Sequence, residues 1–555
     1  MLRRSHGNGN FIQVLGRAGA VGLVCFLTGA HASDIRFERV GYSAGAPKFL
    51  LAAAIMPPGM EEDLQSSAAA DGSAAIMALV ANKEYDKALE AANQLTKAKP
   101  DSAVGYNLVG IAYAGKGDNA NARKNFEKAL SLQKDYGPAR MNVAYLDLRE
   151  GKLDDARKRY ESILANDPKN IPAMVGMSRV ERLRNNSKES IAWLEKAKAE
   201  NPNELTPRLL LALYNLRLGN HQTALAELRD TERSYPNDPR VLSLLGDAQL
   251  AAGQKSQAVA TYRRLVAAQP SSPVAYYQLA GAQASAGDGA GAEESLKKAL
   301  ELKPDYVDAA TQLVLLQVRA KQYTEATKVA QRLQTQRPHA SAGLALEGDI
   351  LLAQKRYAQA AERYQKALAV DSTSLVAVKL HAAQMEAGKR QDADAALEQW
   401  LNDHPQEISA RLYLAAEYGK RGDAKAATRL YEAVLRMQPH NLLALNNLAV
   451  LYQGANDPRA VELAESAYKL KPDSPITADT LGWILVQQGK TDRGLKLLQD
   501  AVSAKAASPE LRYHLAVALA KSGDKARARR ELEKLLASTE QFPQRQAAQA
   551  MLKEL

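Results

Sequence analysis

The sequence predicts an all-α fold built from one repeated helix–turn–helix unit. Three observations predict it. Prolines stand at 168, 202, 236, 270, 304 and 338, each 34 residues from the last. Between them the apolar residues recur at spacings of 3 and 4, the period of one helix face. Aromatics make up only 6% of the chain and Ala is the commonest residue, which favours packed helices over strands. The ruler extends both ways. Pro100 lies two periods before Pro168, with Lys134 between them, and Ser372, Pro405, Pro439 and Pro472 continue it at intervals of 34, 33, 34 and 33.

Residues 103–136 show the unit. Tyr106, Val109, Gly110 and Tyr113 line one face of a first helix; Ala122, Phe126 and Ala129 line a second. Gly115-Lys116-Gly117-Asp118 between them is a turn, with Asp118 as the N-cap of the second helix. Gly110 and Ala122 are small, so the helices approach closely. The closing proline cannot sit inside a helix and therefore ends the second one.

These residues resemble the tetratricopeptide repeat, whose pattern is an aromatic, Leu-Gly, an aromatic, then Ala, an aromatic, Ala and Pro. Other copies match in part: Leu242, Leu245, Gly246, Ala258, Tyr262 and Pro270; Leu344, Gly348, Ala360, Tyr364 and Ala367; Arg411, Leu414, Ala415, Tyr418, Ala427, Tyr431 and Pro439. The resemblance implies a right-handed superhelical solenoid of about 14 units over residues 69–542, with a capping helix over 543–555. Gly246 is expected to meet Ala258. Three units depart from the pattern. Unit 171–204 has Met174, Met177 and Ser190 at core places and reads as weak. Unit 375–407 carries His381 and Trp400 where Leu and Ala are expected, and is one residue short, which is assigned to its inner turn. Unit 475–508 has Gly494 at a small position and lacks the closing proline.

Residues 1–32 read as a secretory signal: Arg3, Arg4 and Arg17 without an acid, the uncharged run Ala18–Ala30, then Ala30-His31-Ala32 before Ser33. The run is short for a membrane span, which takes about 20 residues. Cleavage is the expectation and an uncleaved anchor, the one membrane contact, the alternative. Val24 before the single Cys25 argues against lipidation. Residues 33–68 read as a flexible leader, stopped at Pro57-Pro58-Gly59. Removing three arginines lowers the net charge from +11 to +8. The remaining basic residues are scattered among acids, which excludes a nucleic-acid footprint.

Catalytic and cofactor chemistry is not expected. No two of the eight histidines stand three to five residues apart, so no helical zinc pair exists. His339, His404 and His440 are expected in solvent loops, and His381 in the core with one ring nitrogen satisfied. Gly110–Gly117 has phosphate-loop spacing but Gly117 where Ser or Thr must bind magnesium, and a helix where a strand is needed.

Function is then expected from the concave groove that first helices line in this family. The resemblance implies a partner-binding groove that includes Arg179, Arg182, Leu213, Tyr277, Asn446, Trp483 and Tyr513, with Leu213 and its like packing between repeats as the alternative. Asp479-Thr480-Leu481-Gly482-Trp483 and Glu510–Ala516 are similar to the last repeats of bacterial envelope tetratricopeptide proteins of exosortase and exopolysaccharide systems. That similarity implies an exported, non-catalytic scaffold for partner proteins in the envelope, in polysaccharide export or protein sorting. The rivals are direct contact with polysaccharide or its synthase, and a regulatory remnant of a larger enzyme.

Overall fold

A computed structural model describes residues 72–503, 508–538 and 542–555. The signal over residues 1–32, the leader over 33–68 and Cys25 lie outside them. Every described element is a helix. There are 29, from Ser73–Ala81 to Arg545–Glu554, and the first 28 form 14 helix–turn–helix pairs. By internal contact the chain divides into two compact units, one running to Pro304 and one from Asp305. The first holds repeats one to seven. The second holds repeats eight to fourteen and the last helix, which packs on Lys525–Ala537.

Within each unit a first helix packs on its own second helix, and adjacent first helices also touch, as Gly137–Arg149 does with Ile171–Leu183. First helices therefore form one layer and second helices the other. Each first helix keeps one face turned away from its partner helix.

The turns carry a stricter ruler than the prolines do. One residue in each of the 14 inner turns adopts the left-handed conformation. Nine are glycines, from Gly117 (φ 83°) to Gly523 (φ 91°); the other five are Lys83, Asn185, Lys321, Lys355 and Asn456, at φ 55–64°. These residues end the first helix and return the chain at once, the backbone geometry for which Gly is preferred. A lysine there is strained. Lys321→Gly and Lys355→Gly should each raise local stability by about 0.5–1 kcal/mol, the left-handed penalty less the entropy cost of Gly. Hydrogen exchange over residues 307–370 is the measurement; faster exchange in both variants would contradict it.

The closing proline follows a conformation that the repeat adopts without it. Asp167 before Pro168 lies at φ −134°, ψ 88°, and Gln133 before Lys134 at φ −139°, ψ 97°. Pro disfavours the helical region for the residue before it, so it reinforces this break. Asp118 caps its helix as expected, accepting from the Asn121 amide at 3.1 Å.

Several departures from the pattern turn out to be compensated. In unit 171–204, Met174 and Met177 are fully buried, and Ser190 bonds both the hydroxyl (3.0 Å) and the carbonyl (2.9 Å) of Ser178. A hydrogen-bonded serine pair thus replaces the usual small apolar contact. The residue missing near 375 is lost from the loop Asp371–Thr373 and not from the inner turn: the turn Ala387–Lys389 keeps its three residues, while the loop has three instead of four. Ser372, in the place of a closing proline, accepts from Trp400 Nε1 at 2.8 Å and lies 3.2 Å from His404 Nε2. His404 is not simply a solvent-loop residue. Its ring stacks on Trp400 at 4.1 Å, and its Nδ1 lies 2.8 Å from the Trp400 carbonyl. His381 is buried as expected, but with both ring nitrogens engaged, by the Tyr413 hydroxyl and Asp394, each at 3.0 Å.

Candidate functional site

The sequence-derived groove residues all stand on first helices, and they fall into both units. Arg179 and Arg182 lie on Ile171–Leu183, Leu213 on Leu205–Arg217, and Tyr277 on Pro273–Ser285. Asn446 lies on Leu442–Gly454, Trp483 on Pro475–Gln487, and Tyr513 on Pro509–Lys521. Six are half-buried. Asn446 is the exception at 3% exposed, so it lines the floor of the layer and presents no surface; its neighbour Asn447 donates to the Tyr431 hydroxyl at 2.9 Å. Asn446, expected in the groove, is therefore interior, and so is Asn447.

In the first unit, Arg182 lies over the Tyr214 ring, 5.6 Å from its centroid. Burial pushes the Tyr145 phenol up, while Arg179 and Arg149 pull it the other way. Tyr145 and Arg149 thus join Arg179 and Arg182 on this surface, and the buried Tyr214 ring lies beneath Arg182. Sequence reasoning missed them, although Arg149 stands two periods before Arg217 and one before Leu183. Leu213 packs against the apolar cores on both sides of its helix, so it belongs to the packing between repeats. Tyr277 lies two repeats further on.

A carboxylate recurs at one first-helix position in each unit. Asp247 accepts from the Tyr262 hydroxyl at 2.5 Å, and burial pushes its carboxyl up to about 6 against that bond. Asp349, at the same repeat position in the second unit, accepts from Tyr364 at 2.7 Å and pairs with Lys379 Nζ at 2.8 Å. Because the loop before its helix is one residue short, Lys379 stands where the earlier repeat has Gln278.

In the second unit the structure brings Trp483 and Tyr513 together through His514. The imidazole stacks on Trp483 at 4.2 Å, lies 6.3 Å from the Tyr513 ring, and is held through Nδ1 by Asp479 Oδ1 at 2.7 Å. Tyr513 also packs on the final core around Ala516 and Leu532, and burial raises its phenol. One face of Trp483 is thus fixed by a histidine that is itself pinned. The arrangement suits contact with a partner: it is preset aromatic area, with little side-chain entropy left to lose. Among the described residues no three His, Cys, Asp or Glu gather to hold a metal ion.

Comparison with known proteins agrees with the repeat architecture. Two profiles, each described as the tetratricopeptide repeat, match residues 113–173, 147–214, 283–350 and 485–552, and residues 73–138, 243–307 and 414–475. Together they span more than half of the chain. A TPR repeat-containing protein of Pseudomonas aeruginosa is 29% identical over 160 residues, which is 28% of this chain and 27% of that protein. The chain thus spans about a quarter of the curated relative it matches. Among solved structures, yeast Tom70 is similar at 18% identity and TM-score 0.39, with 83% of this chain and 97% of that one covered. The Cut9–Hcn1 complex of the APC/C is similar at 13% identity and TM-score 0.37, covering 86% and 94%.

Proposed function

The chain belongs to the tetratricopeptide-repeat family, and from that premise we propose that it is a non-catalytic scaffold, exported to the bacterial envelope, that holds partner proteins on its first-helix face and serves polysaccharide export or protein sorting. One observation carries the binding role: the first helices keep aromatic and arginine side chains half-buried, with the Trp483 ring preset by its stack on His514 and Arg182 held over the Tyr214 ring. The basic, then apolar, then small-residue order of residues 1–32 supports the export role.

Trp483→Ala tests the binding role. The expected result is nearly unchanged melting with loss of envelope partners from a pull-down, because truncating an aromatic anchor costs about 2 kcal/mol or more of binding. A melting temperature lowered by several degrees with the same partners captured would make Trp483 a packing residue. Fractionation of the full chain tests the export role; recovery from the cytosol alone would overturn it.

A further inference from the structure

This inference rests on the protein-binding reading and names the chemistry of the partner. Arginines around repeats three to five differ in their partners. Arg123, Arg157, Arg159, Arg184 and Arg208 each meet a carboxylate, respectively Asp147 with Glu150, Glu161, Asp147, Asp154, and Asp230 with Glu227. Arg149, Arg179, Arg182 and Arg217 form no ion pair among the described residues. All four lie in the C-terminal half of three successive first helices, Gly137–Arg149, Ile171–Leu183 and Leu205–Arg217.

Nothing on those helices neutralises them. Their two acids are Asp147 and Glu181, at the same repeat position, 2% and 3% exposed. Asp147 is taken by Arg123 at 2.7 Å and Arg159 at 2.6 Å, and Glu181 by Asn186 at 2.7 Å and Arg157 at 3.4 Å. Arg179 and Arg182 are half-buried, and the Nε of Arg182 is sealed from water without an acceptor. Arg149 and Arg217 are exposed, and beside them stand Leu183 and Leu218, 44% and 47% exposed. The face is therefore cationic, partly desolvated and edged with apolar contact.

We propose that this face binds an extended acidic segment of a partner protein, whose internal Asp or Glu side chains pair with Arg179 and Arg182 while its apolar residues cover Leu183 and Leu218. The spacing fits. Arg179 and Arg182 are one helical turn apart, about 5–6 Å, and alternate residues of an extended segment are about 6.5 Å apart. Guanidinium–carboxylate pairs formed on partly buried arginines are stronger than exposed ones, and the unpaired Arg149 and Arg217 steer an acidic segment inward.

The test uses the full chain and a fluorescent peptide of alternating Glu and Leu, acetylated and amidated at its ends, followed by anisotropy. Binding should weaken as salt rises, because salt screens such pairs. It should fall by about tenfold or more in Arg179→Gln/Arg182→Gln and stay unchanged in Arg229→Gln, whose guanidinium bonds Gln254 and Gln257 on the second-helix layer. Equal affinity for the same peptide with Gln in place of Glu overturns the proposal, as does no binding up to about 1 mM. Tighter binding of a peptide whose only carboxylate is its C-terminus, or of the anionic polysaccharide alginate, also overturns it. A double variant that still captures wild-type partners defeats this proposal and leaves the scaffold reading standing. A wild-type chain that captures no protein defeats the scaffold reading itself.

Discussion

Gly246→Leu is expected to unfold the sixth repeat locally. A Cβ at Gly246 would stand 2.4 Å from Tyr262 Cζ and 2.7 Å from both Cε atoms. Tyr262 has nowhere to retreat: it is 1% exposed, and its hydroxyl is bonded to Asp247. A leucine brings three further carbons into the same space. The cost should reach the upper end of the overpacking range, about 3 kcal/mol. Repeat proteins are held together by neighbouring interfaces, so the loss stays local, and partial proteolysis should cut first between residues 240 and 270. Gly281→Ala is the counterpart. Nothing lies within 4 Å of its Cβ position, and relief of the glycine penalty should stabilise that helix by about 0.5–1 kcal/mol. Wild-type protection in Gly246→Leu would mean that the glycine is not at the helix contact.

That prediction shows where sequence reading stops. The 34-residue period marked Gly246 as a small position on the inner face of its helix, which was correct. It named Ala258 as the neighbour, whereas the space is filled by the Tyr262 ring, one turn further along the second helix. Spacing along a chain identifies a face, but it does not say which side chain on the facing helix projects far enough to fill the gap. Tyr160 makes the same point: its ring lies 2.4 Å from where a Cβ on Gly176 of the following repeat would stand, so the glycine that answers an aromatic need not be in its own unit. Ser372 was legible as a missing proline, but not as the acceptor for Trp400, because that bond spans 28 residues. On the candidate site, repeat position predicted which helices carry Arg179, Trp483 and Tyr513. It failed for Asn446, whose exposure depends on how closely neighbouring first helices approach. It also passed over His514, whose role depends on Asp479, 35 residues away.

Removing the carboxylate of Asp394 should weaken the joint between repeats ten and eleven by about 3 kcal/mol, the lower end for breaking a buried ion pair, since both partners keep some exposure. Asp394 serves two groups. Arg421 grips it through Nη1 at 2.8 Å and Nη2 at 3.0 Å, and His381 Nε2 lies 3.0 Å away. Burial works to raise the Asp394 carboxyl, but the bonds from Arg421 and His381 outweigh it and hold it below the usual range. It is therefore ionised, and Nε2 of a neutral His381 donates to it. Nδ1 is then the acceptor for the Tyr413 hydroxyl. Burial pushes His381 down, against Asp394 and Glu417, which pull it up, and with Arg421, which also lowers it.

Acid should loosen this joint. The histidine binds its proton less readily folded than unfolded, where it titrates near about 6.5. Its stabilising contribution is complete above that pH and is lost as the pH falls below it, because the unfolded chain then holds more protons. Asp394, also depressed, acts in the same direction at lower pH. In wild type, hydrogen exchange across Ser374–Glu386 and Arg390–Asp403 should accelerate, after correction for intrinsic rates, between about pH 7.5 and 5.5. In His381→Gln that acceleration should largely disappear, and in Asp394→Ala exchange should already be fast at the upper pH. Parallel pH profiles in wild type and His381→Gln would show that the histidine plays no part in the acid response.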